Sequence, residues 1–260
     1  MRWRLLPFTS ERGAMNMAID EAVAESVGLG RSPPTVRFYS WSPGAVSIGC
    51  FQSTEEVDLD ACTRLGVDLV RRRTGGGAVY HDPKGEVTYS IIAPEHLFGR
   101  DIPASYRQVC GHVIDALGTL GIRSTFRPVN DIVVDGKKIS GSAQTRRGGV
   151  LLQHGTLLLS LDTQKMFSLL RPSAAKLSGR NLGDILTSVS SFTDASRDEV
   201  LAALRESFLS SREWAEAPLE PEELRRAEEL AARYRDEGWT FSARAPSTPA
   251  RGPPAAGRGR

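Results

Sequence analysis

The stretch Arg71-Arg72-Arg73-Thr74-Gly75-Gly76-Gly77-Ala78-Val79-Tyr80-His81-Asp82 leads a basic run through three glycines into an apolar segment closed by a His-Asp pair. Consecutive glycines let a backbone approach a ligand closely and turn its N–H groups toward anionic oxygens. Arginines add charge that complements phosphate or carboxylate. The combination points to a phosphorylated or adenylated small molecule. Beside it stands the plainer reading, a glycine turn between strands with solvated arginines in front. No Gly-Lys-Ser/Thr follows the glycines, so the segment is not a P-loop, and the Gly-x-Gly-x-x-Gly spacing of a dinucleotide fold is missing.

A second segment, Asn130-Asp131-Ile132-Val133-Val134-Asp135-Gly136-Lys137-Lys138-Ile139-Ser140-Gly141-Ser142-Ala143-Gln144, reads as a hairpin. Ile132, Val133 and Val134 form a strand, Asp135-Gly136 the turn, and Lys138-Ile139 begin the returning strand. The hairpin sets a cation beside a surface of small residues. A third segment, Val150-Leu151-Leu152-Gln153-His154-Gly155-Thr156-Leu157-Leu158-Leu159, is a further strand with a polar interruption. A lone histidine there is more often a hydrogen-bonded core residue than a catalyst.

In this order the three segments resemble the lipoate-protein ligase and octanoyltransferase family, whose catalytic domain is related to that of biotin-protein ligases. The resemblance runs from about residue 15 to about 192. It implies that the loop of Arg72, Gly75, Gly76, Gly77, Ala78 and His81 wraps an acyl-adenylate, and that Lys138 is the catalytic lysine of the Gly-x-Lys-Ile/Val-Ser-Gly-Ser-Ala motif. Lys137 is then its solvated neighbour. The same resemblance places Asn130 and Asp131 near the nucleotide, Asp131 with a Mg2+ ion, and adds Ser142, Ala143, His154 and Gly155 to the binding set. The segment Asn16-Met17-Ala18-Ile19-Asp20-Glu21-Ala22 resembles the opening amphipathic helix, with Asp20 and Glu21 expected as structural acids facing solvent or a helix partner. Cys50-Phe51-Gln52 resembles the Gly-x-x-Gln motif, with Gln52 expected to border the acyl pocket. Phe38, Tyr39 and Trp41 are each read as sheet-packing residues.

Residues 36–49 give a strand, a Pro43-Gly44 turn and a second strand, and helical spacing recurs over 103–120, 166–170, 197–208 and 218–235. Strands and helices that do not alternate regularly favour an α+β fold. A mixed, mainly antiparallel sheet flanked by helices is expected, which the resemblance specifies as a class II biotin/lipoate ligase-like catalytic domain. The catalytic domain with its C-terminal helical segment is assigned to 1–242, and the Pro-, Gly- and Arg-rich stretch 243–260 to a disordered tail.

The formal charge of +2 is too small to argue for nucleic acid, and no RNA- or DNA-binding motif appears. No apolar run of about 20 residues crosses a membrane and no secretory leader is evident, so a cytoplasmic location is expected. Cys50, Cys62 and Cys110 are odd in number and widely spaced, which indicates reduced thiols rather than disulfides or zinc.

The family runs two reactions. A ligase activates lipoate with ATP and Mg2+ to an acyl-adenylate and passes the acyl group to a lysine of a carrier domain, of the 2-oxoacid dehydrogenase E2 or glycine-cleavage H-protein type. An octanoyltransferase takes octanoate from acyl carrier protein through a cysteine thioester without ATP. In similar transferases that cysteine lies in a loop before the Gly-x-Lys motif, whereas residues 123–131 here contain none and carry the ligase-type Asn-Asp pair. The sequence reading is therefore an ATP-dependent lipoate-protein ligase, with a separately encoded accessory subunit expected, and the transferase as alternative. A noncatalytic lipoyl-binding module is disfavoured because Lys138, Asn130-Asp131 and the full glycine loop are all present.

Overall fold

The structure, a computed structural model, describes residues 1–171 and 182–242; the tail assigned to 243–260 lies outside the described residues. The first half of the chain forms β1 (Trp3–Glu11), α1 (Gly13–Gly28), β2 (Thr35–Trp41), β3 (Ala45–Ile48), α2 (Leu59–Arg64), β4 (Asp68–Arg71), β5 (Val79–His81) and β6 (Glu86–Pro94). Then follow α3 (Ile102–Thr119), β7 (Thr125–Arg127), β8 (Asp131–Val134), β9 (Lys137–Arg147), β10 (Val150–Leu158) and α4 (Thr163–Leu169). The C-terminal part adds α5 (Leu182–Ile185), α6 (Arg197–Leu209), β11 (Trp214–Glu216), α7 (Pro221–Arg235) and α8 (Glu237–Phe241).

An eight-stranded sheet runs in the order β11-β1-β2-β6-β10-β9-β8-β7, parallel at its β11-β1-β2 end and antiparallel from β2 onward. This is the mixed, mainly antiparallel α+β architecture expected from the sequence. A second, small sheet has the order β4-β3-β5. The strand-turn-strand over 36–49 is not a hairpin, because β2 belongs to the large sheet and β3 to the small one. The turn carries the chain from one sheet to the other and so brings the second sheet beside the face that α1 covers.

Period-two alternation decides what each face buries. Val36 and Phe38 of β2, Tyr89 and Ile91 of β6 and Leu151 of β10 point to one side, where Val109, Val113 and Leu117 of α3 and Val200, Leu204 and Phe208 of α6 complete a core. Tyr39, Trp41, Ile92 and Leu152 point to the other, against α1 and α7. Arg37, Ser90 and His154 share that second face and are also buried, so α1 must meet polar groups as well as apolar ones.

Local signals set the element ends. Asp101 accepts from Ala104 N at the start of α3, with Pro103 in the first turn. Ser196 and Glu199 form a capping box on α6. α7 begins at Pro221 rather than 218, since Glu220 N donates to Glu223 Oε2 and fixes the first turn there. Asp135 and Gly136 both have positive φ, 49° and 75°, as the two-residue turn between β8 and β9 requires. No helix among the described residues is long and apolar enough to cross a membrane.

Candidate active site

The buried polar layer between α1 and the sheet is organised by Asp20. Arg37 Nη1 donates to Asp20 Oδ1 at 3.0 Å, Ser90 Oγ to Asp20 Oδ2 at 2.6 Å and Tyr39 OH to the same oxygen at 3.2 Å. His154 Nδ1 faces that oxygen at 3.5 Å, and its Nε2 lies 2.7 Å from Thr74 Oγ1 in the glycine loop. Burial favours the neutral carboxyl, yet His154, Arg37 and Ser90 outweigh it and hold Asp20 below the ordinary carboxylate range. Burial likewise drives His154 below the ordinary imidazole value, against the pull of Asp20. A neutral imidazole with Nδ1–H toward Asp20 leaves Nε2 as an acceptor at the loop. Glu21 faces a helix partner as expected, bonded to Arg233 and Tyr234 of α7, whereas Asp20 is buried against the sheet. The inward turn of Asp20 has a simple cause: a helix lying over the buried Arg37 must set an acid against it, because an unpaired buried cation is costly.

A second polar chain starts at Trp41. Its Nε1 donates to Thr88 Oγ1 at 2.8 Å, and Thr88 Oγ1 donates to Glu86 Oε1 at 2.8 Å. His81 Nδ1 lies 2.7 Å from the same carboxylate oxygen, and His81 Nε2 2.8 Å from Ser47 Oγ. The His81 ring stacks on Trp41 at 4.0 Å between centroids. Arg72 reaches Ser47 Oγ at 3.1 Å with Nη1, and donates through Nη2 to the carbonyls of Gly75 and Gly77, both at 2.8 Å. The guanidinium therefore curls the glycine loop around itself. Burial pushes Arg72 down to about 10, and it remains cationic at neutral pH. Arg71 is also buried and donates to Gly49 O and Gln52 O in the turn after β3, so neither it nor Arg72 is solvated as the plainer reading had it.

Lys138 stands near the start of β9, with Nζ 2.7 Å from Asp131 Oδ1; Arg127 takes Asp131 Oδ2 at 2.9 Å. Gly141 makes room for this lysine, since a Cβ there would lie 2.4 Å from Lys138 Nζ. Asn130 and Ser142 bond reciprocally across the adjoining strands, Asn130 Nδ2 donating to Ser142 O and Ser142 N to Asn130 O.

These groups surround one cavity of ≈ 250 Å³. Arg72, Gly76, Gly77, Ala78, His81, Asn130, Lys138, Ser142, Ala143, His154 and Gly155 all line it. Gly75 and Asp131 do not; they stand behind the wall, as acceptors for Arg72 and Lys138. The apolar lining is Met17, Tyr39, Trp41, Leu158, Met166, Leu170 and Leu186. Tyr39 and Trp41, read as packing residues, thus pack and line the site together. Gln52 does not border the cavity: it accepts from Gly49 N and donates to Glu56, bracing the turn after β3. Ser47 and Asp20 were missed by sequence reasoning. Their signal was strand and helix register, which becomes legible only once the partner strands are known. A second cavity of ≈ 440 Å³ shares Met17 and His154 with the first and continues along α1.

The donor set fits a magnesium ion poorly. Both oxygens of Asp131, the carboxylate expected to hold it, are engaged by cations, Oδ1 by Lys138 and Oδ2 by Arg127. What the cavity offers instead is a cation, a buried guanidinium, two imidazoles and an apolar wall, a set suited to an acyl carbonyl at the end of an aliphatic chain.

Residues 12–209 match the family model described as the lipoyl protein ligase A/B catalytic domain. The chain is 34% identical to Octanoyltransferase LipM of Clostridioides difficile, over 91% of this chain and 97% of that protein. It is 37% identical to Octanoyltransferase LipM of Kyrpidia tusciae, over 92% of this chain and 98% of that protein. Among solved structures it is similar to a bi-partite lipoate protein ligase from Thermoplasma acidophilum, described with its E2 lipoyl domain, at TM-score 0.82 and 32% identity, covering 93% of this chain and 96% of that one. The transferase relatives overturn the expectation of an ATP-dependent lipoate-protein ligase. The physical reason is that both reactions deliver an activated acyl carbonyl to a lysine amine, so the motifs that cradle the acyl group do not tell the two apart.

Proposed function

We propose, for a chain that belongs to the lipoyl protein ligase A/B catalytic-domain family, that it moves an octanoyl group from the thioester of an acyl carrier protein to a lysine of a lipoyl carrier domain, without ATP. The observation that carries this reading is the near full-length likeness to octanoyltransferases. The acceptor is a carrier domain of the 2-oxoacid dehydrogenase E2 or glycine-cleavage H-protein type. The accessory subunit expected for a ligase does not enter this reading.

A thioester is already activated toward amines, so the protein has to bind, orient and stabilise charge rather than form an adenylate. The octanoyl chain lies along Met17, Tyr39, Trp41 and Leu158. Lys138 Nζ, held by Asp131, meets the carbonyl oxygen as negative charge develops on it. Such a preorganised donor contributes about 10²–10³ in rate. Arg72 keeps the glycine loop closed over the same carbonyl. His154, neutral and anchored by Asp20, accepts a proton from the incoming ammonium.

The test is the intact mass of an apo lipoyl domain after incubation with the purified chain and octanoyl-acyl carrier protein, with no nucleotide present. Addition of one octanoyl group is expected. An unchanged mass there, with octanoylation from free octanoate plus ATP, would contradict the proposal.

A further inference from the structure

We infer that Ser47 Oγ is the acyl acceptor of this site, with His81 as its base and Glu86 as the residue that orients His81, so that the octanoyl group passes through a serine ester. The inference rests on the transfer reading above and names the nucleophile that reading leaves open.

The chain has three cysteines, Cys50, Cys62 and Cys110. All are free and buried, and none lines the cavity. Cys110 sits behind the wall, 3.7 Å from Ser142 Oγ and 3.9 Å from Gln153 Nε2. Burial pushes all three thiols up, Cys62 to about 11, so each is kept from the thiolate that a nucleophile needs.

Ser47, by contrast, lines the cavity and has a base in contact. Strand register explains the meeting. In the antiparallel β3–β5 pair, Ser47 is opposite Val79 and Ala45 opposite His81, which makes Ser47 and His81 diagonal neighbours on one face. The resulting line runs from Ser47 Oγ to His81 Nε2 at 2.8 Å and from His81 Nδ1 to Glu86 Oε1 at 2.7 Å. Nucleophile, base and orienting carboxylate stand in the relation that activates a serine. Trp41 stacks on the ring, and Thr88 donates to the same Glu86 oxygen, so plane and tautomer are both fixed. Glu86 is buried and among the described residues its Oε2 has no partner, an arrangement costly for a merely structural acid. Arg72 Nη1, 3.1 Å from Ser47 Oγ, stabilises the oxygen as its proton leaves.

The chemistry balances without a further reactant. Ser47 Oγ attacks the thioester carbon while its proton passes to His81 Nε2. The C–S bond then breaks, and the departing carrier thiolate takes that proton, leaving a serine ester and a free thiol. In the second half the neutral acceptor amine attacks the ester carbon and gives a proton to His81 Nε2. The C–O bond breaks, the proton returns to Ser47 Oγ, and the product is the amide. No atom changes oxidation state.

The experiment mixes the full chain with octanoyl-acyl carrier protein in the absence of acceptor, quenches in acid, and maps the acyl group by peptide mass spectrometry. An octanoyl group on Ser47 that resists neutral hydroxylamine is expected. Ser47→Ala should lose transfer by at least about 10³-fold with an unchanged melting temperature, while Ser47→Cys should restore acylation in a hydroxylamine-labile form. A thioester at Cys50, Cys62 or Cys110 overturns Ser47 and leaves the transfer reading standing. Full turnover by Ser47→Ala, or with no acyl-enzyme formed, does the same. Absence of transfer by the unmodified chain overturns both.

Discussion

Lys138 and Gly141 form one device. The lysine reaches Asp131 only because no Cβ stands at Gly141, where it would come within 2.4 Å of Nζ. Lys138→Ala should lower transfer by about 10²–10³ and, because the side chain is part exposed, leave thermal stability nearly unchanged. Gly141→Ala should give a similar loss with the lysine still present, since the flexible amine moves and the strand stays. Transfer rates and melting curves of the two variants check this; normal turnover by Gly141→Ala would contradict it. His154 sets a pH dependence. Its folded-state value lies below 6.5, so between the two values the unfolded chain binds more protons and stability rises with pH. That contribution is fully present above about pH 6.5 and is lost as pH falls through the folded value. The depressed Asp20 acts in the same direction at lower pH. Urea midpoints should therefore fall on acidification from pH 6.5, and less so in His154→Gln. A midpoint that rises on acidification would refute the assignment. At this scale the sequence showed the residue types but not their partners: Lys138 and His154 were legible from motifs, whereas Asp20 looked like a surface acid until α1 was placed over Arg37.

Elements carry the loop. The end of β3 and the glycine loop touch backbone to backbone, as a Cβ at Gly49 would lie 2.1 Å from the Gly76 carbonyl oxygen. Gly76 itself has a φ of 97°, in the region glycine favours. Gly49→Ala must move main chain rather than a side chain. It should cost about 1–3 kcal/mol of stability and reduce transfer by up to about 10²-fold through displacement of the loop. Measured stability within 0.3 kcal/mol of the parent would contradict the packing described. The β8–β9 hairpin was legible because Asp135-Gly136 names its turn type, and α3 and α6 because their apolar spacing is regular. The separation of β3 from β2 was not, since a strand, a Pro-Gly turn and another strand look alike whether the second strand pairs with the first or leaves for another sheet.

At the scale of the whole molecule, the C-terminal helices brace the site from behind. Arg4 of β1 and Glu223 of α7 form a buried bidentate pair at 2.7 Å, to which Ser32 also donates. Glu21 of α1 binds Arg73 of the loop together with Arg233 and Tyr234 of α7. Trp239 Nε1 in α8 donates to Arg71 O, and Arg71 Nε to Thr240 O. Glu223→Ala leaves a buried arginine unpaired and should cost about 3–5 kcal/mol, seen as a matching fall in unfolding free energy by denaturant titration; a change under 1 kcal/mol would contradict the buried-pair account. Fold class was legible from the mixture of strands and helices, but the reaction was not, because adenylate and thioester present the same carbonyl to the same pocket. The missing loop cysteine weighed toward the ligase, and a serine on β3 offers the transfer another nucleophile.

One competition separates thioester transfer from ATP-dependent ligation. The purified chain is given an apo lipoyl domain, octanoyl-acyl carrier protein, free lipoate and ATP with Mg2+ together, and the mass of the modified domain is read against the same mixture lacking ATP. Octanoylation at the same rate is expected in both. Lipoylation that appears only with ATP, and no octanoyl group in either mixture, would contradict thioester transfer.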